Sequence, residues 1–187
     1  MFYRLKPDIY ARAGVLAESG IPGFDDTFIT GAPLVGKPPV PLLFRSNFAE
    51  ESSPRGFEGM TIPLWSHDFV KLLRGAGVRN FDLYDAVIEN ESGRQWSDYH
   101  AANVIGIVAA ADMSKSRATA ILPTPGGVPF ARFQSLVIDA KKAAAFDLFR
   151  LAESPSILIV SERVTLALAG NPRAGGWGMT AFPIEEA

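Results

Sequence analysis

Phe81-Asp82-Leu83-Tyr84-Asp85-Ala86-Val87-Ile88-Glu89 mixes apolar, aromatic and acidic residues in a pattern that reads as a strand. Asn90-Glu91-Ser92-Gly93-Arg94 then supplies turn chemistry, and Trp96 to Asp112 reads as a long return strand. A β-hairpin is the economical reading of the three pieces. Within the return strand, Val104-Ile105-Gly106-Ile107-Val108-Ala109-Ala110 is apolar on both faces, which predicts a central place in a sheet.

Working upstream, Ser66 is placed to cap a helix whose first turn carries Asp68, favourable near the positive end of the helix dipole. Phe69, Leu72, Leu73 and Ala76 fall on one face at helical spacing, and Gly77 suits a left-handed terminator. Trp65, just before the cap, is placed to staple onto Val70. At the start of the chain, residues 2–6 alternate as a strand that Pro7 closes.

Downstream, Phe130 to Ile138 returns to strand character after a turn-rich Pro123-Thr124-Pro125-Gly126-Gly127. Asp139 is placed to cap a second helix, Ala140 to Glu153, stopped by Ser154-Pro155. Ile157-Leu158-Ile159-Val160 reads as a buried strand, and Ser161 caps a third helix, Glu162 to Ala169, ended by Gly170. Gly175-Gly176-Trp177-Gly178 turns into a last strand around Met179 to Ile184.

Between Gly20 and Pro63, prolines and glycines recur too often for long regular elements, apart from a short strand at Leu42-Leu43-Phe44-Arg45. Phe24, Phe28, Ile29, Leu34, Phe44, Phe48 and Phe57 need a core, so residues 20–63 read as a long packed loop rather than a linker. The whole predicts one α+β domain over residues 1–187, with a mostly antiparallel central sheet, about three helices and a long Pro/Gly-rich N-terminal loop.

Composition excludes several classes of function. The 187 residues hold no cysteine, so disulfides, thiolate metal sites and cysteine nucleophiles are out. Eighteen basic and 20 acidic residues leave a formal charge of −2, which gives no electrostatic footprint for nucleic acid or an anionic membrane. Met1-Phe2-Tyr3-Arg4-Leu5-Lys6-Pro7-Asp8 has no apolar core of a signal peptide, and the longest apolar stretch, Val104 to Ala111, falls short of the roughly 20 residues of a spanning helix. A cytoplasmic protein is the expectation.

Motifs that carry chemistry fail on mechanism. Gly31-Ala32-Pro33-Leu34-Val35-Gly36-Lys37 has the spacing of a phosphate-binding loop. Pro38 stands where a Ser or Thr hydroxyl is needed, and Pro39 and Pro41 prevent the helix whose amides would hold phosphate. The two histidines, His67 and His100, show no metal-ligand spacing. His67 is expected exposed beside its cap, and His100 is expected to pair locally with a carboxylate. Asp82 and Asp85 fall on opposite strand faces, which weakens a shared acid–base site. No metal and no cofactor is expected. Trp96, beside the hairpin turn, is the best candidate for an exposed anchor.

Several stretches are familiar in combination. They are Ile62-Pro63-Leu64-Trp65-Ser66, Ala76-Gly77-Val78-Arg79-Asn80-Phe81, Asp98-Tyr99-His100-Ala101-Ala102-Asn103-Val104-Ile105-Gly106, Ala110-Ala111-Asp112-Met113-Ser114-Lys115-Ser116, Leu148-Phe149-Arg150-Leu151-Ala152 and Ile159-Val160-Ser161-Glu162-Arg163-Val164. In this order the chain resembles, over residues 62–184, a bacterial family of immunity proteins of polymorphic toxin systems, first catalogued as a domain of unknown function and having a myxobacterial reference member. The resemblance implies a non-enzymatic protein that binds and neutralises a cognate toxin encoded nearby, with at least one relative opposing a nuclease. It supplies no binding residues. Carboxylates beside an aromatic anchor single out Glu89, Glu91, Arg94 and Trp96 at the hairpin tip as the partner-binding group, since acidic side chains can mimic phosphate and speed encounter with a basic toxin. Two alternatives stay open: a structural or homo-oligomeric assembly protein, and a small hydrolase using His100 with Asp98 or Asp112.

Overall fold

The computed structural model describes residues 1–8, 16–17, 21, 23–24, 27–59, 62–122 and 130–187. Among them the chain is α+β, built on two sheets of mixed but mainly antiparallel pairing. The larger sheet runs β2 (Leu16–Ala17), β3 (Leu42–Ser46), β6 (Phe81–Asn90), β7 (Gln95–Val104), β5 (Leu64–Ser66) and β4 (Phe57–Glu58). The smaller runs β14 (Met179–Pro183), β1 (Phe2–Pro7), β13 (Ser154–Ser161), β12 (Leu148–Leu151) and β8 (Ile107–Val108). A hairpin of β9 (Arg117–Leu122) and β10 (Phe130–Ser135) and a short parallel pair, β11 (Val137–Ile138) with β15 (Glu185–Glu186), complete the strands. The helices are α1 (His67–Gly75), α2 (Ala140–Ala143) and α3 (Glu162–Gly170).

Helix α1 forms as its sequence predicts. The Ser66 hydroxyl accepts from the Phe69 N–H at 3.3 Å. At the other end Gly77 takes φ +87°, and the amides of Gly77 and Val78 reach back to the carbonyls of Arg74 and Leu73. That paired closure needs a left-handed residue after the cap, where glycine carries no steric cost. Trp65 is buried and packs edge-to-face on both Phe69 and Phe81, with Val70 in the same core.

This core joins the two sheets. Trp65, Phe69, Leu73 and Phe81 meet Leu148, Leu158 and Val160 of the smaller sheet and Val164 of α3. The opposite face of the larger sheet buries Leu42, Phe44, Ala86, Ile88 and Tyr99 against Phe28 and Phe48. The segment expected as a loop over residues 20–63 therefore does supply apolar side chains to the interior. The short strand expected at Leu42–Arg45 is β3, parallel to β6, and β4 is a further strand that the reading as loop missed; both belong to the larger sheet. Residues 20, 22, 25–26 and 60–61 of that segment lie outside the described residues. Three of its carbonyls are held by the junction between the sheets: Phe28 accepts from Arg150 Nη2, Gly31 from the Gly106 amide and Ala32 from Asn103 Nδ2, each at 2.8 Å.

Two expectations are corrected. The single return strand from Trp96 to Asp112 is two strands in different sheets. β7 stops at Val104, Gly106 turns the chain at φ +121°, and β8 pairs parallel with β12. The apolar run is thus central only as far as β7, because β8 is the edge of the smaller sheet. The helix expected over 140–153 is one turn, α2, followed by strand β12. Leu148, Phe149, Arg150 and Leu151 are each buried between β13 and β8, and that pairing overrides a locally helical composition. Ser154-Pro155 accordingly opens β13 instead of ending a helix. Smaller differences fall at α3, where the Ser161 hydroxyl donates to Asp147 at 2.5 Å rather than capping, and Gly170 lies inside the helix, which Asn171 closes.

Candidate partner-binding surface

The β6–β7 hairpin is locked at its tip by a residue the sequence marks only as turn chemistry. Asn90 is 4% exposed, its amide oxygen accepts from the Arg94 N–H and the Ser92 hydroxyl at 2.8 Å, and its amide nitrogen donates to the Phe48 carbonyl at 3.0 Å. Gly93 takes φ +83° to close the turn. Glu91, Ser92 and Gly93 are left exposed on a fixed frame.

The four side chains singled out at the tip are placed differently from one another. Glu91 is exposed. Glu89 is largely covered, ion-paired with Arg45 of β3 and accepting from Gln95 Nε2 at 2.6 Å. Arg94 is exposed, hydrogen-bonds the Glu50 carbonyl and lies over the Trp96 ring, 4.9 Å from its centre. Trp96 itself is only 9% exposed and packs edge-to-face against Phe48, so the expectation of an exposed anchor is corrected.

A β-bulge explains the burial of Trp96. Ala86 pairs with Tyr99 but Ile88 pairs with Trp96, so β7 spends one more residue than β6 over that step. Strict alternation from buried Tyr99 would send Trp96 to the opposite face. The extra residue returns it to the Tyr99 side, into the core with Phe48. Ser97 and Asp98, opposite Val87, are exposed on the other face.

Further along that face, His100 of β7 pairs in register with Asp85 of β6. Its Nδ1 lies 3.3 Å from Asp85 Oδ1, a contact that becomes an ion pair only when the imidazole is protonated. The expected local carboxylate partner is present, and it is Asp85 rather than Asp98 or Asp112. Asp112 instead accepts from the Ser114 hydroxyl and amide, which hold its carboxyl below the usual range. His67, exposed as expected at the start of α1, stacks on His100 with ring centres 4.6 Å apart. Burial, and then the neighbouring His67, lower the His100 pKa against the opposing pull of Asp85. Tyr99, on the far face, places its hydroxyl 2.7 Å and 3.0 Å from the carbonyls of Pro54 and Arg55, and burial pushes its pKa up. These groups make a packed, locally paired sheet surface with polar side chains on one side.

Residues 49–181 match the model of the immunity protein family Imm11. The chain belongs to the Imm11 immunity protein family. No curated protein matches it. The Imm11 match covers α1, the β6–β7 hairpin, β12, β13 and α3, and it begins inside the Pro/Gly-rich segment. β1 and β3 lie outside it, yet β1 sits between β13 and β14 and β3 sits beside β6. Membership carries toxin immunity as the general role and a toxin as the general partner. In this Imm11 protein no helix among the described residues is long and apolar enough to cross a membrane.

Proposed function

We propose that this Imm11 protein acts in the cytoplasm as a single domain that binds a cognate toxin encoded nearby and neutralises it without turnover of its own. Family membership over residues 49–181 is the observation that carries this reading. The toxin-facing group is the hairpin tip of Glu89, Glu91, Arg94 and Trp96. Glu91 and Arg94 make the contact, while buried Trp96 and paired Glu89 keep the tip in shape. A nuclease is the toxin class that the tip's carboxylates suit, because a nuclease site built for phosphate is basic. The protein meets neither nucleic acid nor membrane itself.

The test is co-expression with the toxic domain encoded beside this chain's gene. Growth rescue together with a stoichiometric complex is expected. Growth arrest that the protein leaves unchanged would overturn the reading. With the complex in hand, Glu91→Lys is expected to slow association severalfold, and an affinity within twofold of wild type would remove the tip from the interface.

A further inference from the structure

The larger sheet is unevenly covered. Leu42, Phe44, Ala86 and Ile88 point into the core, and on the other face Phe81 and Leu83 at the start of β6 do too, but Leu43 and Arg45 of β3 and Asp85 and Val87 of β6 belong to no core cluster. Leu43 is 51% exposed and pairs in register with half-buried Val87, while exposed Arg45 pairs with Glu89. On β7 the bulge sets Asp98 opposite Val87, and on β6 the Asp85 side chain is 77% exposed. Two aliphatic side chains thus lie side by side on an open sheet face, bordered by two carboxylates.

The charge of this strip is unbalanced. Its own cation, Arg45, is consumed by the ion pair with Glu89. Asp85 contacts His100, and Lys71 and Arg74 of α1 line a groove together with His67 and His100. What complements the strip is a basic side chain set between Asp85 and Asp98, with an apolar neighbour laid on Leu43 and Val87. The strip is continuous through Glu89 with the hairpin tip.

We propose that the open strip of β3, β6 and β7 formed by Leu43, Val87, Asp85 and Asp98 is a protein-docking surface that seats a basic residue and an adjacent apolar residue of the toxin. This rests on the reading of the chain as a toxin-binding protein and extends that contact from the tip along the sheet. The carboxylates speed encounter and fix orientation, and the aliphatic pair holds the complex once formed.

The experiment measures binding of the toxic domain encoded beside the gene to the wild-type protein, to Asp85→Lys/Asp98→Lys and to Leu43→Ser/Val87→Ser. Leu43, Asp85 and Asp98 are exposed and Val87 is half-buried, so thermal unfolding of each variant checks that the fold is kept. Charge reversal is expected to slow association at least tenfold and flatten its salt dependence. The serine pair is expected to speed dissociation at least tenfold. Affinities within twofold of wild type for both variants, with wild type still binding, would overturn the docking strip and leave toxin binding intact. A wild-type protein that neither binds nor protects would overturn the functional reading and the strip with it. A wild-type oligomer that the same substitutions dissolve would assign the strip to a second copy of this chain, which also overturns the proposal.

Discussion

The guanidinium of Arg150 donates to the carbonyl of Phe28 across 122 residues of sequence, at 2.8 Å, while its other terminal nitrogen reaches the carbonyl of Pro155 at the same distance. Arg150 is 2% exposed, and burial pulls its pKa down to about 10. A planar fork on β12 therefore ties the Pro/Gly-rich segment and the start of β13 to the smaller sheet. Lysine offers one compact donor group and cannot span both carbonyls. Arg150→Lys is expected to cost about 2 kcal/mol, seen as a drop of roughly 4–8 °C in Tm for a chain of this size. An unchanged Tm would show that the two carbonyls find other partners.

Trp96 separates core packing from surface anchoring. Set against Phe48 by the bulge, it should behave as a core residue. Trp96→Ala is expected to destabilise by about 3–5 kcal/mol, whereas Glu91→Lys at the exposed tip should stay within about 0.5 kcal/mol. Denaturant unfolding of the two variants decides it. Equal, small effects would place the indole outside the core.

Asn90 supports the tip through three hydrogen bonds made by one buried amide. Replacing it with alanine strands the Phe48 carbonyl and the Arg94 amide, for an expected loss of about 1–3 kcal/mol. Amide exchange should rise at Gly93, Arg94 and Gln95 ahead of the rest of the hairpin. Uniform exchange across β6 and β7 would contradict a local role.

The stacked histidines make stability depend on pH in a defined direction. The pKa of His100 is lower in the folded chain than its ordinary value of 6.5, through burial first and His67 second. The unfolded chain therefore binds more protons below that value, so the contribution is complete above about pH 6.5 and is lost as pH falls toward the folded pKa. Thermal unfolding at pH 7.5 and pH 5.5 is expected to show a smaller difference for His100→Gln than for wild type. Parallel losses would mean that other groups carry the acid sensitivity.

What could be read from the sequence followed the range of the interactions involved. Helix α1 was legible because its cap, apolar face and terminating Gly77 all lie within a dozen residues. The hairpin was legible for the same reason, as were β1, β3 and the strand at Ile157–Val160. β12 was not, since Ala140 to Glu153 has a helical composition and becomes strand only by pairing with β13 and β8. At the candidate surface, the acidic and cationic residues of the tip could be found by inspection, and the burial of Trp96 could not. A bulge leaves no mark in a run such as Gln95-Trp96-Ser97-Asp98-Tyr99, yet it decides which face the indole takes. Asp85 and His67 likewise come to His100 through pairing and helix placement, from positions 15 and 33 residues away in sequence.

The places of β1 and β3 bear on where this chain can be cut. Both lie outside residues 49–181, but each covers the flank of a strand within that span. A fragment trimmed to the family match would present the bare backbone edges of β6 and β13 to solvent. Such unpaired edges recruit strands from neighbouring molecules. The trimmed fragment should precipitate or form mixed oligomers, so boundaries for expression are better drawn from strand neighbours than from the matched segment.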